Sequence, residues 1–188
     1  IIMELWPHQI NAIKESTSSG IHCHATGTGK TRTALNIVKQ YIETHPEESV
    51  IWFCERKNII MDTFKERQDY FSSSHKIMIR PKIADINLYK KPIILVVNRS
   101  YIAYKKKYLN INRKFGLLIH DECHSAVAPQ TYAFLQVLKS QQTRMIGFSA
   151  TPIRDGEDQK QKLLSIFGKI LTNFHLKDAI KLGYYCST

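Results

Sequence analysis

Three clusters of residues in this chain have the types and spacing to do chemistry. The first is Thr26-Gly27-Thr28-Gly29-Lys30-Thr31, at the end of the stretch Ile21 to Thr31. Gly27 and Gly29 free the backbone to turn its N–H groups toward an anion, where a Cβ would crowd the turn. Lys30 can reach the β- and γ-phosphates of a nucleoside triphosphate, and the Thr31 hydroxyl can serve Mg²⁺ at the start of a helix whose N-terminus carries partial positive charge. The strict phosphate-loop pattern asks for glycine six residues before the lysine, and His24 stands there. The second cluster is Asp121-Glu122-Cys123-His124, and the third is Ser149-Ala150-Thr151. Triphosphate hydrolysis needs a phosphate cradle, a divalent metal held by few protein groups, and a group that orients the attacking water. Asp121 suits the metal, partly through bound water, and Glu122 suits the nucleophilic water. Lys30, Asp121 and Glu122 are therefore the candidate catalytic residues.

These clusters need elements that bring them together. Pro7 suits the first turn of a short helix carrying Ile10 and Ile13, and Gln9 at its start could read an adenine edge. Ile21 to Ala25 reads as a strand. Thr31 to Thr44 reads as a helix, with Ala34, Leu35, Ile37, Val38, Tyr41 and Ile42 on one face. Further apolar strands are expected at Val50–Cys54, Ile77–Ile79, Ile93–Val97, Phe115–Ile119 and Met145–Phe148, and helices over residues 58–71, 131–139, 160–167 and 176–182. Alternating strands and helices predict an α/β fold with a mainly parallel central sheet and helices on both faces. Binding groups then gather at the carboxyl ends of the strands. Each of the three clusters directly follows one of these strands, so all three can meet around one ligand.

The 188 residues suit a single α/β domain with one core. Cys23, Cys54, Cys123 and Cys186 lie far apart, with no C-x-x-C pair, which points away from a disulfide framework or a zinc knuckle and toward an intracellular, reducing compartment. Nor do His124 and Cys123 form close-spaced ligand pairs with His22, Cys23 and His24. No apolar run approaches the ~18 residues of a membrane span, and neither a membrane span nor a signal peptide is expected. The ends at Ile1 and shortly after Gly183 lead to the expectation of a piece of something longer. Net charge is +11, and the segment from Lys76 to Lys114 holds eleven Lys or Arg against the single acid Asp85. Interleaved with Tyr89, Tyr101, Tyr104 and Tyr108, this block reads as a surface for a phosphate backbone with rings for stacking, or as a solvated basic face. Composition rich in Ile, Lys and Asn suggests a large DNA virus or a phage as source.

Taken in order, Gln9, Ala-Thr-Gly-Thr-Gly-Lys-Thr (25 to 31), Asp-Glu-Cys-His (121 to 124) and Ser-Ala-Thr-Pro (149 to 152) resemble the motifs of superfamily 2 helicases. The chain is similar to their first RecA-like motor domain, a three-layer P-loop NTPase domain. Within that superfamily it most resembles the branch of type I and type III restriction-enzyme motors and related phage and poxvirus helicases. The resemblance implies ATP and Mg²⁺ as cofactors, bound by Gln9, Thr26, Gly27, Thr28, Gly29, Lys30 and Thr31, with Thr31 and Asp121 on the metal. It implies that His124, Ser149 and Thr151 couple hydrolysis to motion, with His124 as a relay toward Ser149 or Thr151. Arg56 and Lys57, then Arg99 and Ser100, stand where the family contacts nucleic acid, and Lys105, Lys106 and Lys107 join them as candidates. Trp6 stands where this branch often carries arginine. The implied partners are nucleic acid, DNA favoured over RNA, and a second RecA-like domain of a longer parent chain, whose arginines would complete the site. No membrane partner is expected.

Two readings of another class stay open on the residues alone. One is a non-catalytic nucleic-acid-binding module with a nucleotide switch. The other is a P-loop kinase for a small substrate, disfavoured because Arg154 is the only arginine after Thr151.

Overall fold

The computed structural model describes residues 4–54, 71, 74–150 and 157–183. A seven-stranded sheet runs through the centre: β1 (Gly20–His24), β2 (Ser49–Cys54), β3 (Lys76–Ile79), β4 (Ile93–Asn98), β5 (Phe115–His120), β6 (Arg144–Ser149) and β7 (Ile170–Phe174). Its order is β3-β4-β2-β5-β6-β1-β7, and every neighbouring pair is parallel. The helices are α1 (Pro7–Glu15), α2 (Lys30–Thr44), α3 (Ile83–Leu88), α4 (Arg99–Ala103), α5 (Pro129–Ser140), α6 (Glu157–Phe167) and α7 (Leu176–Leu182), with 3₁₀ segments at Tyr104–Asn110 and Cys123–Val127.

Strand periodicity builds the layers. In β2, Val50, Trp52 and Cys54 join the core beneath α2, while Ile51 and Phe53 join the opposite core with Phe134, Leu135 and Leu138 of α5 and Leu163, Ile166 and Phe167 of α6. The central strands are apolar on both faces because helices cover both, the arrangement a parallel sheet requires. Full burial of side chains such as Trp52, Phe53 and Phe148, each worth roughly 1.5–3 kcal/mol or more, holds the layers together.

All six expected strands form, and the sheet is wholly parallel. The seventh, β7, is not among the expected strands. Its sequence Ile-Leu-Thr-Asn-Phe is short and half exposed, with only Thr172 and Phe174 buried. It becomes a strand by pairing with β1, aligning Thr172 with His22 and Phe174 with His24. Pro7 occupies the first turn of α1 as expected, and the Gln9 side chain accepts from the Trp6 N–H at 2.8 Å, closing that helix start. The helix expected over residues 58–71, apart from Phe71, lies outside the described residues, as do Arg56, Lys57 and Thr151.

Candidate nucleotide site

The three clusters follow β5, β6 and β1, which are adjacent in the sheet. Parallel pairing puts their carboxyl ends on one edge, so the phosphate loop, Ser149 and the Asp121-Glu122 pair are brought to the same place. Gly27 and Gly29 have φ of 83° and 80°, a conformation that residues with a Cβ rarely adopt. His24, by contrast, is the last residue of β1 and is extended. Glycine is not needed there, which explains how the loop dispenses with its first glycine.

The loop is tied down from within and from α1. Thr28 Oγ1 donates to the Ala25 carbonyl at 2.6 Å, Thr33 donates to the Gly29 carbonyl from its backbone N–H and its hydroxyl, both at 3.0 Å, and His8 Nε2 donates to the Thr28 carbonyl at 2.8 Å. Gln9 Nε2 donates to the Gly29 carbonyl at 3.1 Å. Gln9 is buried, and its amide bridges the start of α1 to the loop. Because Thr33 makes the first intrahelical bond of α2, the N–H groups of Lys30, Thr31 and Arg32 have no acceptor within the helix and can serve an anion. Lys30 is buried, Thr31 half-buried and Thr26 exposed.

Beneath the loop lies a chain of buried side chains whose direction follows from proton counting. Ser16 Oγ donates to the Ala12 carbonyl at 2.7 Å, so it must accept from His22 Nε2, also at 2.7 Å. Neutral His22 then has a bare Nδ1, which accepts from Thr172 Oγ1 at 2.6 Å. With its proton given away, Thr172 Oγ1 accepts from His24 Nε2 at 2.7 Å. One hydrogen-bond chain thus joins β1, β7 and the end of α1. Burial lowers the pKa of His22 to about 4 and that of His24 to about 3, with the charges of His22, His8, Lys30 and His175 adding to the effect on His24. His8 stacks on Phe174 with ring centroids 3.8 Å apart, and burial lowers its pKa, partly offset by the bond to Thr28. Local sequence patterns carry no sign of this network, because Thr172 lies some 150 residues from His22 and His24.

On the β5 side, the Asp121 N–H donates to the Phe53 carbonyl at 3.1 Å, fixing the turn to the end of β2. Glu122 sits at φ 56°, ψ 52°, a left-handed conformation that costs a non-glycine residue about 1–2 kcal/mol. Its Oε2 lies 3.5 Å from His124 Nδ1. Behind it, Cys123 packs against Gly147 of β6, where a Cβ would stand 2.9 Å from both Cβ and Sγ of Cys123. His120, fully buried, donates from Nδ1 to the Asp121 carbonyl at 2.8 Å and has its pKa lowered to about 4 by burial. Ser149 is buried at the end of β6. The thiols of Cys23, Cys54 and Cys123 are free and buried, and burial raises their pKa values.

The donor set fits a nucleoside triphosphate with Mg²⁺. The glycine cradle and the free helix N–H groups suit phosphate, and the Thr31 hydroxyl and Asp121 carboxylate are the hard oxygen donors that Mg²⁺ takes. Among the described residues no group of three or more His, Cys, Asp or Glu is arranged to hold a metal by itself.

The basic block does not form one surface. Lys76, Lys90, Lys91, Arg113 and Lys114 stand at the amino ends of β3, β4 and β5, on the edge opposite the phosphate loop. Arg113 is structural: it donates to the carbonyls of Lys91 (2.7 Å), Ile86 (3.3 Å) and Tyr89 and to Ser49 Oγ (3.0 Å). Arg80, Lys82, Arg99 and Lys105–Lys107 follow the carboxyl ends of β3 and β4 instead. Arg99, Ser100, Lys105, Lys106 and Lys107 are all exposed. Among the described residues no helix is long and apolar enough to cross a membrane.

Comparison with known proteins bears on the family and the fold. The family profile described as type III restriction enzyme, res subunit, matches residues 2–154. The EcoAI type I restriction enzyme endonuclease subunit of Escherichia coli is 27% identical over 93% of this chain and 22% of its own length. This chain spans about a fifth of the length of the type I restriction enzyme endonuclease subunits of Staphylococcus saprophyticus and Escherichia coli. Those relatives are bacterial, so the expectation of a viral or phage source draws no support from them. Among solved structures, the Pyrococcus furiosus Hef helicase domain superposes with a TM-score of 0.72 at 17% identity, covering 92% of this chain and 38% of that one. A nuclease-deletion mutant of the type ISP restriction-modification enzyme LlaGI, in complex with a DNA substrate mimic, gives 0.68 at 17% identity, covering 97% and 21%. At that identity the two likenesses establish the fold, a RecA-like α/β domain.

Proposed function

We propose that this chain, which belongs to the type III restriction enzyme res subunit family, is the ATP-binding motor domain of a DNA translocase or helicase subunit. The observation that carries this reading is the meeting, at the ends of adjacent strands β5, β6 and β1, of a carboxylate pair, Ser149 and a glycine-cradled phosphate loop.

In this reading Lys30 and the loop N–H groups hold the triphosphate. Thr31 and Asp121 hold Mg²⁺, which supplies charge neutralisation at the phosphates when bound. Glu122 orients water and accepts its proton. Gln9, already bonded to the Gly29 carbonyl, couples recognition of the base to the loop. His124, beside Glu122, relays the state of the site toward Ser149 and Thr151. Arginines from a second RecA-like domain of the parent complete the site. An arginine finger contributes about 10³ to 10⁵ in rate, so the chain alone binds nucleotide weakly and hydrolyses it slowly. Arg99, Ser100 and Lys105–Lys107 contact nucleic acid, DNA in preference to RNA, and a cytoplasmic location suits a restriction-enzyme subunit.

The test is the ATPase rate of the full-length parent with duplex DNA, single-stranded DNA and RNA, beside Lys30→Ala. Stimulation by DNA that Lys30→Ala abolishes supports the reading; an unstimulated rate, or one untouched by Lys30→Ala, overturns it.

A further inference from the structure

A second concavity lies on the same sheet edge as the phosphate loop but far along it. It sits beyond the carboxyl ends of β3 and β4, encloses about 720 Å³, and is lined by Arg80, Lys82, Ser100, Tyr101, Tyr104 and Lys107 among others. Between β4 and β1 the sheet order leaves four inter-strand steps, roughly 19 Å at about 4.8 Å each, so this cavity is not part of the nucleotide site.

Its chemistry is one-sided. Arg80, Lys82 and Lys107 supply cations, and among the described residues no Asp or Glu lines it. Tyr104 is 56% exposed. Lys107 Nζ lies 4.7 Å and Lys105 Nζ 5.4 Å from the centre of its ring. The Tyr101 hydroxyl donates to the Pro81 carbonyl, locking α4 against the segment after β3 and making the wall rigid. Arg80, Lys105 and Lys106 have φ of 44°, 49° and 49°. Such left-handed backbone at non-glycine residues gathers where a site is held in a set shape. A volume in the ~300–1,000 Å³ range, a mainly apolar lining and a few charged groups describe a small-ligand cleft rather than a flat contact with duplex backbone.

We propose that this cavity receives one unstacked base of a single nucleic-acid strand, stacked on Tyr104, with its flanking phosphates on Arg80, Lys82 and Lys107. A base inside an intact duplex keeps both faces covered by its neighbours, whereas an unpaired one offers a face to an aromatic ring and a phosphate to the cations beside it. This rests on the reading of the chain as a nucleic-acid-directed motor domain, and adds to it a pocket for a base and the residues that line it.

The test measures binding of the 188-residue chain to a twelve-nucleotide oligothymidylate and to the same strand built from abasic residues. The base-bearing strand should bind more tightly. Tyr104→Ala should weaken it about 5- to 100-fold while leaving the abasic strand unchanged, and Tyr104→Trp should restore it. Lys107→Ala should weaken both strands and reduce the slope of log affinity on log salt by about 0.7. Equal affinity for the two strands in the wild type, or equal losses on both with Tyr104→Ala, overturns the base pocket while leaving the motor reading standing. Failure to bind either strand also overturns the pocket, while the motor reading stands or falls on the DNA-stimulated ATPase rate of the parent. Unchanged melting temperature in Tyr104→Ala establishes that any loss is local.

Discussion

His24 donates from Nε2 to Thr172 Oγ1 at 2.7 Å, across the pairing of β1 with the edge strand β7. The histidine occupies the position where a strict phosphate loop has glycine, and the threonine passes the bond on to His22 at 2.6 Å. An edge strand thereby becomes part of the support beneath the candidate nucleotide site. Thr172→Val removes a hydroxyl that two buried ring nitrogens share and leaves both without this partner. The expected loss is about 2–4 kcal/mol by urea denaturation. Thr172→Ser keeps the hydroxyl, removes one methyl, and should cost only about 1 kcal/mol. Equal losses in the two variants would remove the hydrogen-bond chain from the account.

The same histidines set an acid limit on stability. Their pKa values in the folded chain, about 4 for His22 and about 3 for His24, lie below the ordinary 6.5 because burial disfavours charge. Between these values the unfolded chain binds protons that the folded chain refuses. Stability is therefore full above about pH 6.5 and falls as pH drops toward 4. At about 1.4 kcal/mol per pH unit, His22 alone accounts for roughly 2 kcal/mol between pH 6.5 and 5. Urea midpoints at pH 7.5, 6 and 5 should fall in that order, and a flat profile would contradict the assignment.

Gly147 allows the turn that carries Asp121 and Glu122 to lie against β6. Gly147→Ala places a methyl 2.9 Å from Cβ and Sγ of Cys123 and 3.1 Å from Phe167. Overpacking of this kind costs about 1–3 kcal/mol. A readout from the site is the ATPase rate of the parent, expected to fall more than that of a variant with the same melting temperature altered far from the turn.

Glu122→Gln preserves side-chain shape and the left-handed backbone at φ 56° but removes the carboxylate proposed as the base. In the parent, hydrolysis should fall by about 10² to 10⁴ while nucleotide binding stays within a few-fold. An unchanged rate would favour a nucleotide switch over an enzyme.

In the proposed reading, the division of the basic block separates the residues assigned to nucleic acid from those on the opposite edge. Replacing Arg99, Lys105 and Lys106 together by glutamine should reduce the log–log salt slope of binding to duplex DNA by about 2–3, at about 0.9 for each phosphate that is no longer neutralised. Replacing Lys90, Lys91 and Lys114 on the opposite edge should leave the slope unchanged. Equal effects of the two triple variants would contradict the division.

Much of this protein was determined locally. Apolar runs such as Val50–Cys54 and Ile93–Val97 specify buried parallel strands because a strand covered on both faces has no polar side to show. Gly27 and Gly29 specify the phosphate loop because the φ values they adopt exclude most other residues. The chain order of those motifs then implied one shared edge. What the tertiary structure alone decided depends on pairings between distant residues. β7 becomes a strand only because β1 offers it an edge, and the basic block is divided only because the strands between its lysines are all parallel. His24, extended at the end of β1, finds the partner for its buried ring nitrogen in Thr172, nearly 150 residues later. Hydrophobic period and backbone dihedrals are encoded within a few neighbouring residues, whereas a hydrogen-bond partner across a sheet is encoded by the whole fold.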